Sequence, residues 1–119
     1  MALPKKGSRV IIIDDIKYRW TGFVLKYDAP NEPAHVIIEL YENPKQKIRA
    51  FFSWEKMNIE YKKIGHKLGK YADATPPYIV RQTILYALKN GWVPNKGGGI
   101  LELGNLDDKI DYTELKSHE

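Results

Sequence analysis

Thr75-Pro76-Pro77-Tyr78-Ile79-Val80-Arg81-Gln82-Thr83-Ile84-Leu85-Tyr86-Ala87-Leu88-Lys89-Asn90-Gly91-Trp92-Val93-Pro94 decides the fold. Thr75 suits a helix N-cap and Pro76 the first helical position, where no intrahelical N–H is needed. Val80, Ile84, Ala87 and Leu88 recur at the spacing of one helical face and form a narrow apolar stripe. Gly91 fits the left-handed residue that ends a helix, and Trp92 follows as a large apolar anchor. The spacing predicts one helix over about 76–90, amphipathic and therefore laid on an apolar surface.

That surface comes from the N-terminal part, which reads as strands. Arg9 to Asp14 is a Val- and Ile-rich run, expected as a strand buried on both faces. Asp14-Asp15 suits a tight turn, because Asp tolerates left-handed backbone angles. Ile16, Tyr18 and Trp20 alternate with Lys17, Arg19 and Thr21, then the phase moves by one residue at Gly22 into Phe23, Leu25 and Tyr27. A side-chain period of two cannot survive that shift without a bulge or bend. After the Pro30–Pro33 loop, Val36, Ile38 and Leu40 alternate within His35–Glu42. Ile48, Ala50, Phe52 and Trp54 alternate after the Asn43-Pro44 turn. Met57, Ile59 and Tyr61 continue, one position out of phase, as a fifth strand or the bent end of the fourth. Ile100–Leu103 is a short final strand. The expectation is a single α+β domain over residues 1–104: a twisted antiparallel sheet of about five strands with the helix across one face. The expected core is Val10, Ile12, Tyr18, Trp20, Ile38, Leu40, Phe52, Trp54, Val80, Ile84, Leu88 and Trp92. Residues 105–119 form an acidic tail, either docked through Ile110, Tyr112 and Leu115 or disordered.

Composition narrows the chemistry. A length of 119 residues supports one hydrophobic core. The absence of cysteine removes disulfides, thiolate metal sites and cysteine nucleophiles. The opening Met-Ala-Leu-Pro-Lys-Lys-Gly lacks a signal-peptide apolar segment, and no run is long enough for a membrane helix, so a cytoplasmic protein with no membrane partner is expected. His35, His66 and His118 share no ligand spacing, so no metal or other cofactor is expected. Ser8, Ser53 and Ser117 lie in no nucleophile elbow. Glu39 and Glu55 are expected as solvated surface charges. Gly65-His66-Lys67-Leu68-Gly69-Lys70-Tyr71 has three residues between its glycines and Tyr after the Lys, so it is not a P-loop. No catalytic residue is assigned.

Charge and aromatics suggest binding instead. Residues 1–73 carry a net +5, while residues 74–119 carry −1. Lys56, Lys62, Lys63, Lys67 and Lys70 face only Glu60 within 56–70. Read as a loop flanked by Tyr61 and Tyr71, the segment offers a polyanion site at Lys62, Lys63, His66, Lys67 and Lys70. Lys17, Arg19 and Arg49 on the strands would make a weak basic platform. On the helix, Tyr78, Ile79 and Tyr86 lie off the apolar stripe and mark a candidate interface. Fourteen aromatics are many for so small a sheet and one helix to hide, which favours a dimer or an aromatic-lined pocket.

Tyr18-Arg19-Trp20, followed by Thr75-Pro76…Val80…Ile84…Ala87-Leu88…Gly91-Trp92…Pro94, resembles a group of short, uncharacterised bacterial proteins with a strand-rich N-terminal part and this helix. The general character also resembles orphan proteins carried on integron gene cassettes. The resemblance brings no activity and no site residues. The functional expectation is a non-catalytic binding or interaction module that self-associates as a homodimer or takes a protein partner. The alternative is a sequence-tolerant nucleic-acid binder using 56–70. An enzyme or ligand carrier with an aromatic pocket is the third reading.

Overall fold

The computed structural model describes residues 8–22, 25–26, 34–63, 71–72 and 77–110. The elements run β1 (Arg9–Ile13), β2 (Ile16–Thr21), β3 (Leu25–Lys26), β4 (Ala34–Leu40), β5 (Lys47–Phe52), α1 (Trp54–Lys63), β6 (Tyr71–Ala72), α2 (Pro77–Lys89) and β7 (Ile100–Asn105). Five strands form the main sheet in the order β1-β2-β4-β5-β7, and β3 pairs with β6 in a separate two-stranded ribbon. The β1-β2, β2-β4 and β4-β5 pairs are antiparallel, whereas β7 joins β5 in parallel after the chain has crossed through α1, β6 and α2. The result is an α+β domain with a mostly antiparallel five-stranded sheet.

The β1-β2 hairpin turns on Asp14 and Asp15, with φ of 51° and 65°. Two successive left-handed residues are what the right-handed twist of a two-residue hairpin requires. They set Ile13 opposite Ile16 and Ile11 opposite Tyr18. The main-sheet strand ends at Thr21, where the sequence phase breaks; Phe23 and Tyr27 lie outside the described residues.

One face of the sheet carries Tyr18, Trp20, Val36, Ile38, Ile48, Ala50 and Phe52, all buried against Ile79, Val80, Ile84 and Ala87 of α2. Trp92 joins them just past the helix. Its ring centroid lies 5.8 Å from that of Tyr18, and its indole Nε1–H donates to the Gln46 carbonyl at 3.1 Å. Aromatic rings from sheet and helix end thus meet within a largely aliphatic core. Helix α2 stops as expected: Gly91 has φ of +100°, and the Trp92 N–H returns to the Ala87 carbonyl at 2.9 Å. Thr75 and Pro76 lie outside the described residues.

Several expectations need correction. β1 is an edge strand, not one buried on both faces. Val10 and Ile12 are 49% and 61% exposed on the face away from α2, and only Ile11 and Ile13 turn toward the core. Leu88 is also exposed. The stripe of α2 is rotated toward Ile79 and Thr83, which are fully buried, so Ile79 is core and not part of an outer interface. Thr83 can occupy that position because its hydroxyl donates to the Ile79 carbonyl at 2.7 Å. Met57, Ile59 and Tyr61 lie on helix α1, not on a strand. Glu55 in the first turn of α1 and Lys62 and Lys63 in the last match the charges that a helix dipole favours. The side chain of Trp54 lies outside the described residues.

The chain beyond Gly104 continues as structure. Leu106 is fully buried, its N–H donating to the Phe51 carbonyl at 3.0 Å. Asp107 is buried as well, and its carboxylate accepts from the Ser53 N–H at 3.0 and 3.2 Å and from the Ser53 hydroxyl at 2.9 Å. This clasp ties the end of β7 to the residue that opens α1. Residues 111–119 lie outside the described residues.

Candidate binding face

Strand alternation puts α2 on one face of the sheet and a row of polar and aromatic side chains on the other. Lys17 and Arg19 come from β2, His35, Ile37 and Glu39 from β4, Tyr41 from just beyond it, and Arg49 and Phe51 from β5. Register fixes their rows. Val10 stands opposite Arg19 and Arg19 opposite Glu39; Ile37 stands opposite Arg49, and Arg49 opposite Glu102.

Tyr41 organises one end of this face. Its N–H donates to the Lys17 carbonyl at 3.0 Å, which extends the β2-β4 ladder by one rung. Lys17 Nζ then lies 4.8 Å and Arg19 Cζ 4.5 Å from the Tyr41 ring centroid. Both are within cation–π range, so the ring holds two positive charges side by side. Phe51 organises the other end. His35 meets it edge-on at 6.0 Å, and Arg49 Cζ lies 6.0 Å from its centroid.

Two acids temper the charge. Glu39, expected in solvent, is only 1% exposed. It sits on the central strand with neighbours on both sides and Arg19 directly across. Glu102 pairs with Arg49, Nε donating to its two carboxylate oxygens at 2.7 and 3.0 Å and Nη2 also donating to Oε2. The hydrogen bond from Arg49 holds the Glu102 carboxyl below the usual carboxylate range. A lowered folded pKa adds stability above the unfolded value of about 4.3 that is lost as pH falls through the folded value. We expect the melting temperature of the wild type to fall more steeply below about pH 4 than that of Glu102→Gln. The effect is small because the pair is exposed, and equal acid slopes in thermal melts would show that the pair adds nothing.

The residues expected from sequence fall elsewhere. Lys62 and Lys63 are exposed in the last turn of α1, while His66, Lys67 and Lys70 lie outside the described residues. Tyr78 and Tyr86 are half-buried against the core and Ile79 is wholly inside it, so the three do not form an open patch. A shallow depression of about 220 Å³ beside Tyr86 is lined by Gln82, Leu85, Lys89, Lys109 and Ile110. Among the described residues, no group of three His, Asp or Glu side chains could hold a metal ion, and no helix is long and apolar enough to cross a membrane. Sequence alternation had placed Lys17, Arg19 and Arg49 on polar strand faces. It missed Tyr41 and Phe51, because strand order decides which rings stand beside which cations. Compared with known proteins, the chain matches no family model, no curated protein and no solved structure.

Proposed function

We propose that this protein is a small non-catalytic binding module whose working surface is the face of the sheet opposite α2, and that its ligand is an extended polyanion such as single-stranded nucleic acid. The observation that carries the reading is the cation pair of Lys17 and Arg19 held on Tyr41, on the same face as Arg49 and Phe51. Cations draw a phosphate backbone by releasing its counterions, and aromatic faces accept unpaired bases without regard to sequence. The sheet holds both at fixed spacing. This reading seeks the basic surface on the strands in preference to the 56–70 segment.

Fluorescence anisotropy with a labelled mixed-sequence oligonucleotide tests this. If about three cations meet phosphates, affinity falls roughly a hundredfold between 50 and 500 mM salt. Lys17→Glu combined with Tyr41→Ala should weaken binding at least tenfold at low salt, while Lys62→Glu with Lys63→Glu leaves it within twofold. Salt-independent binding, or loss in the α1 variant alone, would overturn the assignment of this face.

A further inference from the structure

We infer that β1 is a self-pairing edge, at which two copies of the chain join antiparallel, β1 against β1, into one continuous sheet. The inference goes beyond polyanion binding and stands or falls separately from it.

The main sheet has two edges, and they differ. At β7 the ladder with β5 shifts register between Arg49 and Ala50, Gly104 adopts φ of +76°, and Glu102 puts a charge on the strand. Irregular backbone and charge are the devices by which edges resist pairing. β1 keeps an unshifted ladder, and its one charge, Arg9, stands at its first position. Its interior is Val10-Ile11-Ile12-Ile13, in unbroken register with β2 from Arg9 opposite Trp20 to Ile13 opposite Ile16.

The backbone of this edge is ready for a further strand. The Lys17 carbonyl accepts from Tyr41, so the backbone of Lys17 points toward β4. Ile12 is its cross-strand partner, and antiparallel alternation turns the N–H and C=O of Ile12, and of Val10 two residues earlier, away from β2 and outward. These are unspent main-chain donors and acceptors among the described residues. Beside them Val10 and Ile12 are 49% and 61% exposed, two large aliphatic side chains on the face opposite α2.

The occupant that fits is a second copy, and charge sets its direction. β1 begins at Arg9 and runs into the Asp14-Asp15 turn, basic at one end and acidic just past the other. Parallel pairing would set Arg9 beside the partner's Arg9 and the two acidic turns together. Antiparallel pairing about Ile11 sets Arg9 toward the acidic turn of the other copy. In that register Val10 faces the partner's Ile12, and Ile12 the partner's Val10, so the outward groups of each residue meet their complements. Four aliphatic side chains then close over one another on the face opposite α2. The contact is small for a specific interface, so a concentration-dependent equilibrium is expected in preference to a permanent dimer.

Sedimentation equilibrium of the full chain, over a wide micromolar range, tests this. We expect the mass to rise from 13.8 kDa toward twice that value. Ile12→Pro removes an outward N–H that no bond among the described residues uses, and Ile12→Lys puts a charge into the seam. Each should weaken association at least tenfold, with circular dichroism matching the wild type, while Leu88→Lys on α2 leaves it unchanged. A wild type that stays at 13.8 kDa throughout, or a dimer indifferent to both Ile12 variants, would overturn the inference.

Discussion

Replacing Trp92 by Ala should destabilise the fold by about 4 kcal/mol, as expected for a large buried aromatic. For a chain of this size that is a drop of roughly 15 °C in melting temperature. Trp92 is the point where the helix terminus, the sheet and the β4-β5 connection meet. It is buried, packs its ring against Tyr18 and donates its indole N–H to the Gln46 carbonyl. Truncating a side chain this large leaves a cavity, whose cost adds to the lost transfer energy. Trp92→Phe keeps a ring in place and loses the donor, and should cost about 1 kcal/mol or somewhat more. Thermal denaturation followed by circular dichroism reads both. If the Ala variant melted within a few degrees of the wild type, the core as described would be wrong.

Asp107→Ala should cost about 3 kcal/mol by a different route. The carboxylate accepts both the backbone N–H and the hydroxyl of Ser53 inside the protein. Removing it leaves two buried donors without acceptors, and an orphaned buried group costs about 1–3 kcal/mol. Ser53→Ala loses only the hydroxyl and should cost about 1 kcal/mol. Because the two residues share one network, the double variant should be less destabilised than the two single losses combined. Chemical denaturation of the four proteins measures this coupling, and strict additivity would mean that the clasp is not the stabilising contact.

The same two residues show how far sequence carries. Trp92 was legible as a core anchor because Gly91 and the stripe before it mark a helix end by local chemistry. Asp107 was not, since in sequence it is one acid in an acidic stretch, and its partner Ser53 lies 54 residues away. Local rules likewise indicated the Asp14-Asp15 turn, the alternation of β2, β4 and β5, and the place of α2. They failed where tertiary placement decides. The run Arg9–Ile13 has the composition of an interior strand, but nothing within five residues says that it will stand at the edge of the described sheet. The Met57, Ile59 and Tyr61 alternation fits a strand and tolerates a helix. Charged first and last turns were the available sign of α1. Ile79 was misplaced because Thr83, one turn on, looks polar until its hydroxyl is seen bonded to the helix itself.

These corrections change where binding is sought. The outer surface of α2 loses Ile79 to the core. The basic segment 56–70 becomes in part a helix. The face opposite α2 gathers cations and rings from β2, the end of β4 and β5, and the adjoining margin at β1 carries the exposed Val10 and Ile12.

The most direct test of that account is an amide chemical-shift map of the full chain titrated with a mixed single-stranded oligonucleotide at low salt. The account predicts perturbations concentrated at Lys17, Arg19, Tyr41, Arg49 and Phe51, reversed by raising the salt. Perturbations confined to Lys62, Lys63 and the residues that follow them, or none at saturating oligonucleotide, would contradict it.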